Sequence, residues 1–188
     1  MRPRRTGPAA LTASLTSGHA GATKYGATEG IAERIGETLG RSGLDVDVRA
    51  VTDAEPAGYD AFVVGSAAYA GHWRKEARKF VKHHRDELGT HPVWLFSSGP
   101  IGTETEDAKG HDVREASTPK EVAGLTETLH ARGHRVFFGK LDPDALRGPE
   151  GLVKKLPAGR KALPEGDFRD WADIEGWAQQ IGRELQPA

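Results

Sequence analysis

Residues 59–73, YDAFVVGSAAYAGHW, decide the fold that the sequence predicts. The stretch contains a short apolar run at 61–64 and continues into small residues and aromatic side chains. A continuous apolar run of this length is typical of a strand that is buried on both faces of a parallel sheet. Ligands of doubly wound sheets bind beyond the carboxyl ends of such strands. The small residues that follow, together with Tyr69 and Trp73, therefore predict a flat apolar slot for a planar aromatic ligand.

The rest of the chain alternates between strand and helix patterns. Apolar residues at helical spacing predict the helices, and apolar or alternating runs predict the strands. The predicted elements are helix 29–39, strand 44–51, strand 61–64, helix 73–88, strand 92–96, polar loop 103–117, a helix opened by a capping box at 118–121, strand 135–138 and helix 170–185. Strands that alternate with helices pair in parallel through right-handed crossovers. The pattern predicts an α/β fold, a doubly wound three-layer α/β/α sandwich.

Size and composition limit the possible functions. The chain has 188 residues, enough for one domain with a full core. Its formal net charge of −1 argues against a nucleic-acid binder that relies on bulk positive charge. The absence of cysteine excludes disulfides, cysteine-ligated iron–sulfur clusters and thiol catalysis, and it suits a cytoplasmic location. The eight histidines do not follow the spacing of a metal site, so we predict no metal.

The strand expected before the first helix has an unusual sequence. Residues 15–22, LTSGHAGA, contain one large apolar side chain, whereas a central strand calls for an apolar run. Residues 9–15 are the alternative, and they would be followed by a longer loop. We predict a single domain at 19–188. The preceding residues 1–18 are predicted to be an atypical N-terminus, either ordered or disordered.

Three segments are predicted to meet at one edge of the sheet. Residues 23–28, TKYGAT, precede a helix for which Thr28 is the expected N-cap, and their backbone N–H groups can surround an anion. The other two segments, 66–73 and 97–102, each follow a buried strand. A capped helix start, tight packing and a plain turn would explain each segment taken alone. The candidate binding residues are Thr23, Lys24, Tyr25, Gly26, Ala27, Thr28, Ser66, Ala67, Ala68, Tyr69, Ala70, Gly71, Trp73, Ser97, Ser98, Gly99, Pro100, Ile101 and Gly102.

Five segments carry a resemblance to a known family: TKYGATEGIAERI, YDAFVVGSAAYAGHWRKEARKFV, PVWLFSSGP, HRVFFGKLD and EGDFRDW. Together they resemble the flavodoxin family, and within it the flavodoxin-domain proteins related to menaquinone-dependent protoporphyrinogen oxidase. The resemblance implies a five-stranded parallel sheet of order 2-1-3-4-5 and non-covalently bound FMN. Residues 23–28 would hold its phosphate, and 66–73 and 97–102 would flank its ring. Tyr69 or Trp73 would stack on that ring.

The resemblance also implies a function, in which the cofactor supplies the redox chemistry. FMN would pass electrons from a reduced substrate, protoporphyrinogen IX, to a quinone. The implied partners are a quinone or a redox partner protein, and a porphyrinogen substrate. The basic segment 154–161 is either a solvated stretch or a contact with an anionic substrate or a membrane surface.

Two alternatives to the enzyme remain open at this stage. One is an electron-carrier module without a substrate of its own. The other is a non-catalytic relic with impaired FMN binding, which the unusual first strand suggests. The sequence assigns no catalytic acid or base, and it leaves the oligomeric state open.

Overall fold

The computed structural model of the chain describes the backbone of residues 10–15 and all of residues 26–141 and 165–186. A central sheet lies between two layers of helices. The strands are β1 Ala10–Leu15, β2 Asp45–Ala50, β3 Ala61–Tyr69, β4 His72–Trp73, β5 Val93–Ser98, β6 Gly133–Phe137, β7 Lys140–Leu141 and β8 Gly166–Asp167. The helices are α1 Ala27–Arg41, α2 Lys75–Leu88, α3 Val113–Ala116, α4 Val122–Leu129 and α5 Trp171–Leu185.

The main sheet has the strand order β2-β1-β3-β5-β6, and all of these neighbours are parallel. Numbered among themselves along the chain, these five strands have the predicted order 2-1-3-4-5, so the doubly wound sheet is confirmed. The short strand β4 runs antiparallel to the end of β3. Strands β7 and β8 form a separate antiparallel pair.

The central strand β1 occupies Ala10–Leu15, where it pairs with β2 on one side and β3 on the other. The alternative placement of this strand, near residues 9–15, is therefore the one that the sheet uses. Residues 16–25 lie outside the described part of the chain, as does the basic segment 154–161. β1 lies on the N-terminal side of residue 19, and the division of the chain into 1–18 and 19–188 stays a prediction.

Three predicted helix starts are wrong. The N-cap of α1 is Gly26, and Thr28 lies inside the first turn. Helix α2 starts at Lys75 rather than at Trp73, because Trp73 belongs to β4 and pairs with Ala68. The capping box at 118–121 does not form. Helix α4 starts at residue 122, and the carboxylate of residue 121 accepts a hydrogen bond from a different part of the chain.

The apolar core consists of two clusters, one on each face of the sheet. The first joins α1 and α5 to the sheet and contains Ile31, Ile35, Leu39, Val63, Trp94, Phe96, Phe137, Ile174, Trp177 and Ile181. The second joins α2 and α4 to the sheet and contains Phe62, Val64, Trp73, Phe80, Val81, Leu88, Val93, Leu95, Val122 and Leu129. Within the described ranges, no helix combines the length and the apolar character that crossing a membrane requires.

Candidate functional site

The described members of the three candidate segments lie at the carboxyl edge of the parallel sheet. Helix α1 begins at this edge, β3 turns into β4 there, and the loop after β5 leaves the sheet there. Thr23, Lys24 and Tyr25 fall outside the described residues. The meeting of segments that are distant in sequence follows from the parallel order of the strands.

A buried hydrogen bond joins the first and third segments. The Thr28 and Ser98 hydroxyl oxygens lie 2.6 Å apart, so the first turn of α1 is cross-linked to the end of β5. At Gly26, where φ is +58°, an added Cβ would meet no heavy atom of the described residues within 4 Å. The first N–H groups of a helix lack acceptors within the helix. The start of α1 is therefore held in a fixed position at the carboxyl edge of the sheet.

The second segment forms a tight β-hairpin. Tyr69 pairs with His72, and the two residues between them, Ala70 and Gly71, have φ values of +50° and +75°. Two positive φ angles in a two-residue loop are the mark of a type I′ turn. The turn carries Tyr69 out of the sheet, and its side chain is 58% exposed. The sequence indicated a turn at this point but did not distinguish a hairpin.

Ala70 is expected to be the strained residue of this turn, because the left-handed region costs a residue with a Cβ about 1–2 kcal/mol. Ala70→Gly should raise the free energy of unfolding by about 0.5–1 kcal/mol in urea denaturation. Ala123→Gly is the matched control, since Ala123 is exposed within α4 and glycine there should lower stability by about that amount. Equal destabilisation by both substitutions would contradict the strain at Ala70.

Trp73 and Tyr69 have opposite environments, although either was expected to stack on a flat ring. Trp73 is 1% exposed and packs in the α2–α4 cluster, where its Nε1–H donates a hydrogen bond of 2.7 Å to the Ser97 hydroxyl. The ring of Trp73 thus has no open face. Tyr69 is the residue of the pair that is accessible to a ligand.

The two serines Ser66 and Ser97 are buried beneath the hairpin. Ser66 Oγ donates to the Ala67 carbonyl at 2.9 Å and accepts from the Arg74 backbone N–H at 3.0 Å, which fixes the corner where α2 begins. Ser97 Oγ lies 2.8 Å from His134 Nε2 on β6. These hydroxyls thus link the carboxyl ends of β3 and β5 to the start of α2 and to β6.

Burial lowers the pKa of His134 from 6.5 to about 4, so the ring is neutral at pH 7. Ser97 Oγ accepts a hydrogen bond from the Trp73 indole N–H and also lies within hydrogen-bond distance of His134 Nε2. The sequence gives no signal for His134, because a lone histidine at the start of a strand has no characteristic spacing to other residues.

The loop after β5 approaches the hairpin closely. An added Cβ at Gly99 would lie 3.0 Å from Ala68 Cβ, which is tighter than ordinary side-chain contact. The Gly99 N–H donates to Phe137 O at 3.2 Å, and the Gly139 N–H donates to Pro100 O at 2.8 Å. Pro100 is buried, whereas the two residues after it, at 101–102, are half-buried. Segment 97–102 is thus held against the hairpin and against the chain that follows β6, and it is not a free turn.

The polar stretch 103–117, predicted as a loop, contains the short helix α3 and several side-chain contacts. The Asp107 side chain accepts the backbone N–H groups of Lys109 and His111, and these hydrogen bonds lower its pKa. Arg114 on α3 forms an ion pair of 3.2 Å with Asp173, which also pairs with Arg135. The stretch is therefore fastened to the start of α5.

The segment EGDFRDW packs against the first turn of α1. The guanidinium of Arg169 lies 4.3 Å from the centre of the Trp171 ring, and a Cβ at Gly30 would come within 2.4 Å of Arg169 Nη1. Arg169 holds Asp167 through two hydrogen bonds of 2.7 and 2.5 Å, the first cause of the lowered pKa of that carboxyl. The sequence predicts the start of the last helix within this segment, but no local pattern links the segment to α1.

Within residues 26–141 and 165–186, no group of three or more His, Asp or Glu side chains is arranged to hold a metal ion. The edge instead offers an exposed tyrosine, buried hydroxyls and the start of a long helix. These groups suit a flat ligand with an anionic group.

Comparison with known proteins gives matches at two levels. A family model described as a flavodoxin domain matches residues 21–149. A flavodoxin from Streptococcus pneumoniae TIGR4 is similar in structure, with 15% identity and a TM-score of 0.55 over 94% of this chain and 99% of that one. No curated protein matches the chain in sequence.

Two proteins that are not called flavodoxins are also similar in structure, and one of them is a much longer chain. An NADH:FMN oxidoreductase in its apo form has 14% identity and a TM-score of 0.53, covering 96% of this chain and 91% of that one. A flavo di-iron protein from Thermotoga maritima has 14% identity and a TM-score of 0.56, covering 95% of this chain and 36% of that one. At these identities the structural likeness supports the fold alone.

Proposed function

Because the chain belongs to the flavodoxin domain family, which indicates FMN as the cofactor, we propose that it is a redox protein with FMN at the carboxyl edge of its sheet. The observation that carries this proposal is the joining of the first turn of α1 to the end of β5 by the Thr28–Ser98 hydrogen bond. It links the helix start that we propose for the phosphate to the segment that we propose for the ring. When bound, FMN supplies the transfer of electrons.

The described residues fit the two ends of FMN. Toward the phosphate, residues 26–28 would act through backbone N–H groups at the start of α1, and residues 23–25, which lie outside the described part of the chain, remain predicted phosphate contacts. Toward the ring, Tyr69 would contribute an exposed aromatic face, and segment 97–102 would form the opposite side. Trp73 would not contact the ring but would hold Ser97, at the end of β5, in place through its hydrogen bond. The protein's own part is to bind and orient the cofactor and to exclude water from one face of the ring.

Tyr69→Ala is expected to weaken FMN binding about five- to tenfold, because an aromatic pair contributes about 0.5–1.5 kcal/mol beyond its buried area. Tyr69→Trp should bind FMN as tightly as the parent protein does. The measurement is a titration of FMN fluorescence with the full-length chain. Tyr59→Phe is the control, since the Tyr59 hydroxyl donates to Asp47 in a different part of the fold. An unchanged affinity in Tyr69→Ala would remove Tyr69 from the proposed site.

The finer proposal is an oxidoreductase that oxidises protoporphyrinogen IX to protoporphyrin IX in three successive two-electron, two-proton steps, each of which reduces one quinone to its quinol. It is supported by the resemblance of HRVFFGKLD and EGDFRDW to that subfamily. The exposed lysines Lys75, Lys79 and Lys82 on α2, which begins next to the hairpin, suit the carboxylates of such a substrate. Peripheral contact with a membrane, where quinones dissolve, is part of this finer proposal.

Anaerobic assays of the FMN-loaded protein separate the enzyme from a carrier. An oxidoreductase should convert protoporphyrinogen to fluorescent protoporphyrin only when a quinone such as menadione is present. A carrier should exchange electrons with a redox protein such as cytochrome c and leave protoporphyrinogen unchanged. A folded chain that takes up no FMN would overturn both versions and favour the non-catalytic relic.

A further inference from the structure

The segment between α3 and α4 forms hydrogen bonds with the β3–β4 hairpin. Glu121 Oε1 accepts the backbone N–H of Trp73 at 2.8 Å, and Glu121 Oε2 lies 3.1 Å from His72 Nδ1. The neighbouring Lys120 N–H donates to Gly71 O at 3.1 Å. These contacts reach the turn and both residues of β4 from a segment about fifty residues further along the chain.

The carboxylate of Glu121 is committed to the hairpin rather than to its own helix. Glu121 occupies the N-cap position of α4, yet it makes no side-chain hydrogen bond to cap that helix. Its side chain is 18% exposed, and Arg78 Nε on α2 lies 3.6 Å from Oε1. The Glu121 carboxylate therefore interacts with the hairpin and α2 instead of capping α4.

Glu121 makes these contacts as an ionised group. Burial raises its pKa, but hydrogen bonds from its own backbone N–H, from the Trp73 N–H and from His72 outweigh burial and lower the pKa overall. Hydrogen bonds to a charged acceptor are stronger than those between neutral groups. The carboxylate is thus a strong tie between the segment before α4 and β4.

The hairpin depends on support from outside. Strand β4 has two residues, and a two-stranded hairpin is marginally stable by itself. Its turn contains Ala70 at a φ of +50°, which opposes the hairpin conformation. The exposed Tyr69 stands directly before this turn, so any opening of β4 moves Tyr69.

We infer that Glu121 is a positioning residue that holds Tyr69 at the carboxyl edge by anchoring β4, a role that rests on the proposed function of that edge as the flavin site. The contacts of the Glu121 side chain with the hairpin are to the Trp73 backbone N–H and the His72 ring, not to the Tyr69 ring. It acts through the backbone of Trp73 and through His72. Its loss should therefore change the surroundings of the ring without removing a contact to the ring.

The test compares Glu121→Ala and Glu121→Gln with the parent chain. In the cofactor-free protein, hydrogen exchange of the Trp73 amide should become about tenfold faster in Glu121→Ala, since one charge-assisted hydrogen bond is lost. Glu121→Gln keeps an acceptor for this N–H and should retain most of the protection. Glu127→Ala is the control, because Glu127 is exposed on α4. It should leave the exchange rate unchanged.

The second measurement is made on the FMN-loaded protein. Glu121→Ala should raise the dissociation constant of FMN about fivefold and change the reduction potential of the flavin at saturating FMN, and Glu121→Gln should restore both toward the parent values. Faster exchange with an unaltered affinity and potential would overturn the positioning role and leave the proposed function intact. Unaltered exchange would overturn the anchor itself. A parent chain that takes up no FMN would instead overturn the proposed function and, with it, the role of Glu121 toward the ring.

Discussion

Gly65→Ala is expected to destabilise the protein by about 3 kcal/mol or more, which places it among the most damaging single substitutions in this fold. Gly65 lies in the middle of β3 opposite Phe96 of β5. A Cβ at Gly65 would come within 2.0 Å of Phe96 Cζ and 2.1 Å of Cε1. Distances this short require either the ring or the strand to move.

The Phe96 ring cannot move aside cheaply. It is fully buried, and its centre lies 6.1 Å from that of Phe137 and 6.4 Å from the Trp177 ring. Movement would therefore disturb the packing of the cluster that joins α1 and α5 to the sheet. Urea unfolding followed by tryptophan fluorescence measures the loss.

A double-mutant cycle isolates the clash. Phe96→Ala alone should cost about 3–5 kcal/mol through the cavity that it leaves. Because Gly65→Ala fills part of that cavity, the double variant should lose clearly less than the sum of the two single losses. Gly124→Ala is the control, since a Cβ there meets no heavy atom within 4 Å. In exposed helix it should raise stability by about 0.5–1 kcal/mol. Strict additivity in the Gly65–Phe96 cycle would show that the ring is not the obstacle.

The second large effect is a loss of stability in acid caused by His134. Its pKa is 6.5 in the reference state and about 4 in the folded protein, because burial opposes the charged ring. As the pH falls below 6.5, the unfolded chain takes up a proton that the folded chain refuses. The free energy of unfolding is thus highest, with respect to His134, above pH 6.5, and it falls progressively as the pH is lowered to about 4.

The size of this effect follows from the two pKa values. Each pKa unit corresponds to about 1.4 kcal/mol, and after allowance for partial exposure the total is about 2–3 kcal/mol. His134→Gln should remove most of the decline in unfolding free energy between pH 6.5 and 5, a range in which most carboxylates stay ionised. His83→Gln replaces an exposed histidine on α2 and should keep the decline. Equal slopes in the parent and His134→Gln would contradict a neutral, buried His134.

The sequence predicts the sheet well because buried parallel strands leave a strong signal. The apolar runs of β3 and β5 and the helical spacing in α1 and α5 determine the order of the elements. Strand β1 was harder to place because its letters, ALTASL, mix small and polar residues with leucine. Its pairing with β2 and β3 places it, and that information is tertiary.

The site was predicted at the level of segments rather than of side chains. A pattern cannot tell an aromatic residue that faces a ligand from one that faces the core, and Tyr69 and Trp73 have opposite environments. The hairpin between them depends on a positive φ at Ala70. Alanine rarely adopts a positive φ, so its presence in the sequence does not predict such a turn. The contacts of Glu121 and His134 join residues far apart in sequence, so no local spacing could reveal them.

The most direct test of the central claim is a titration of FMN with the purified full-length chain, followed by flavin fluorescence and by the absorbance that remains after desalting. The account predicts saturable quenching with one FMN per chain and flavin absorbance that stays with the protein. A chain that is folded by circular dichroism, yet neither quenches FMN fluorescence nor retains flavin absorbance, would contradict the assignment of the carboxyl edge as a flavin site.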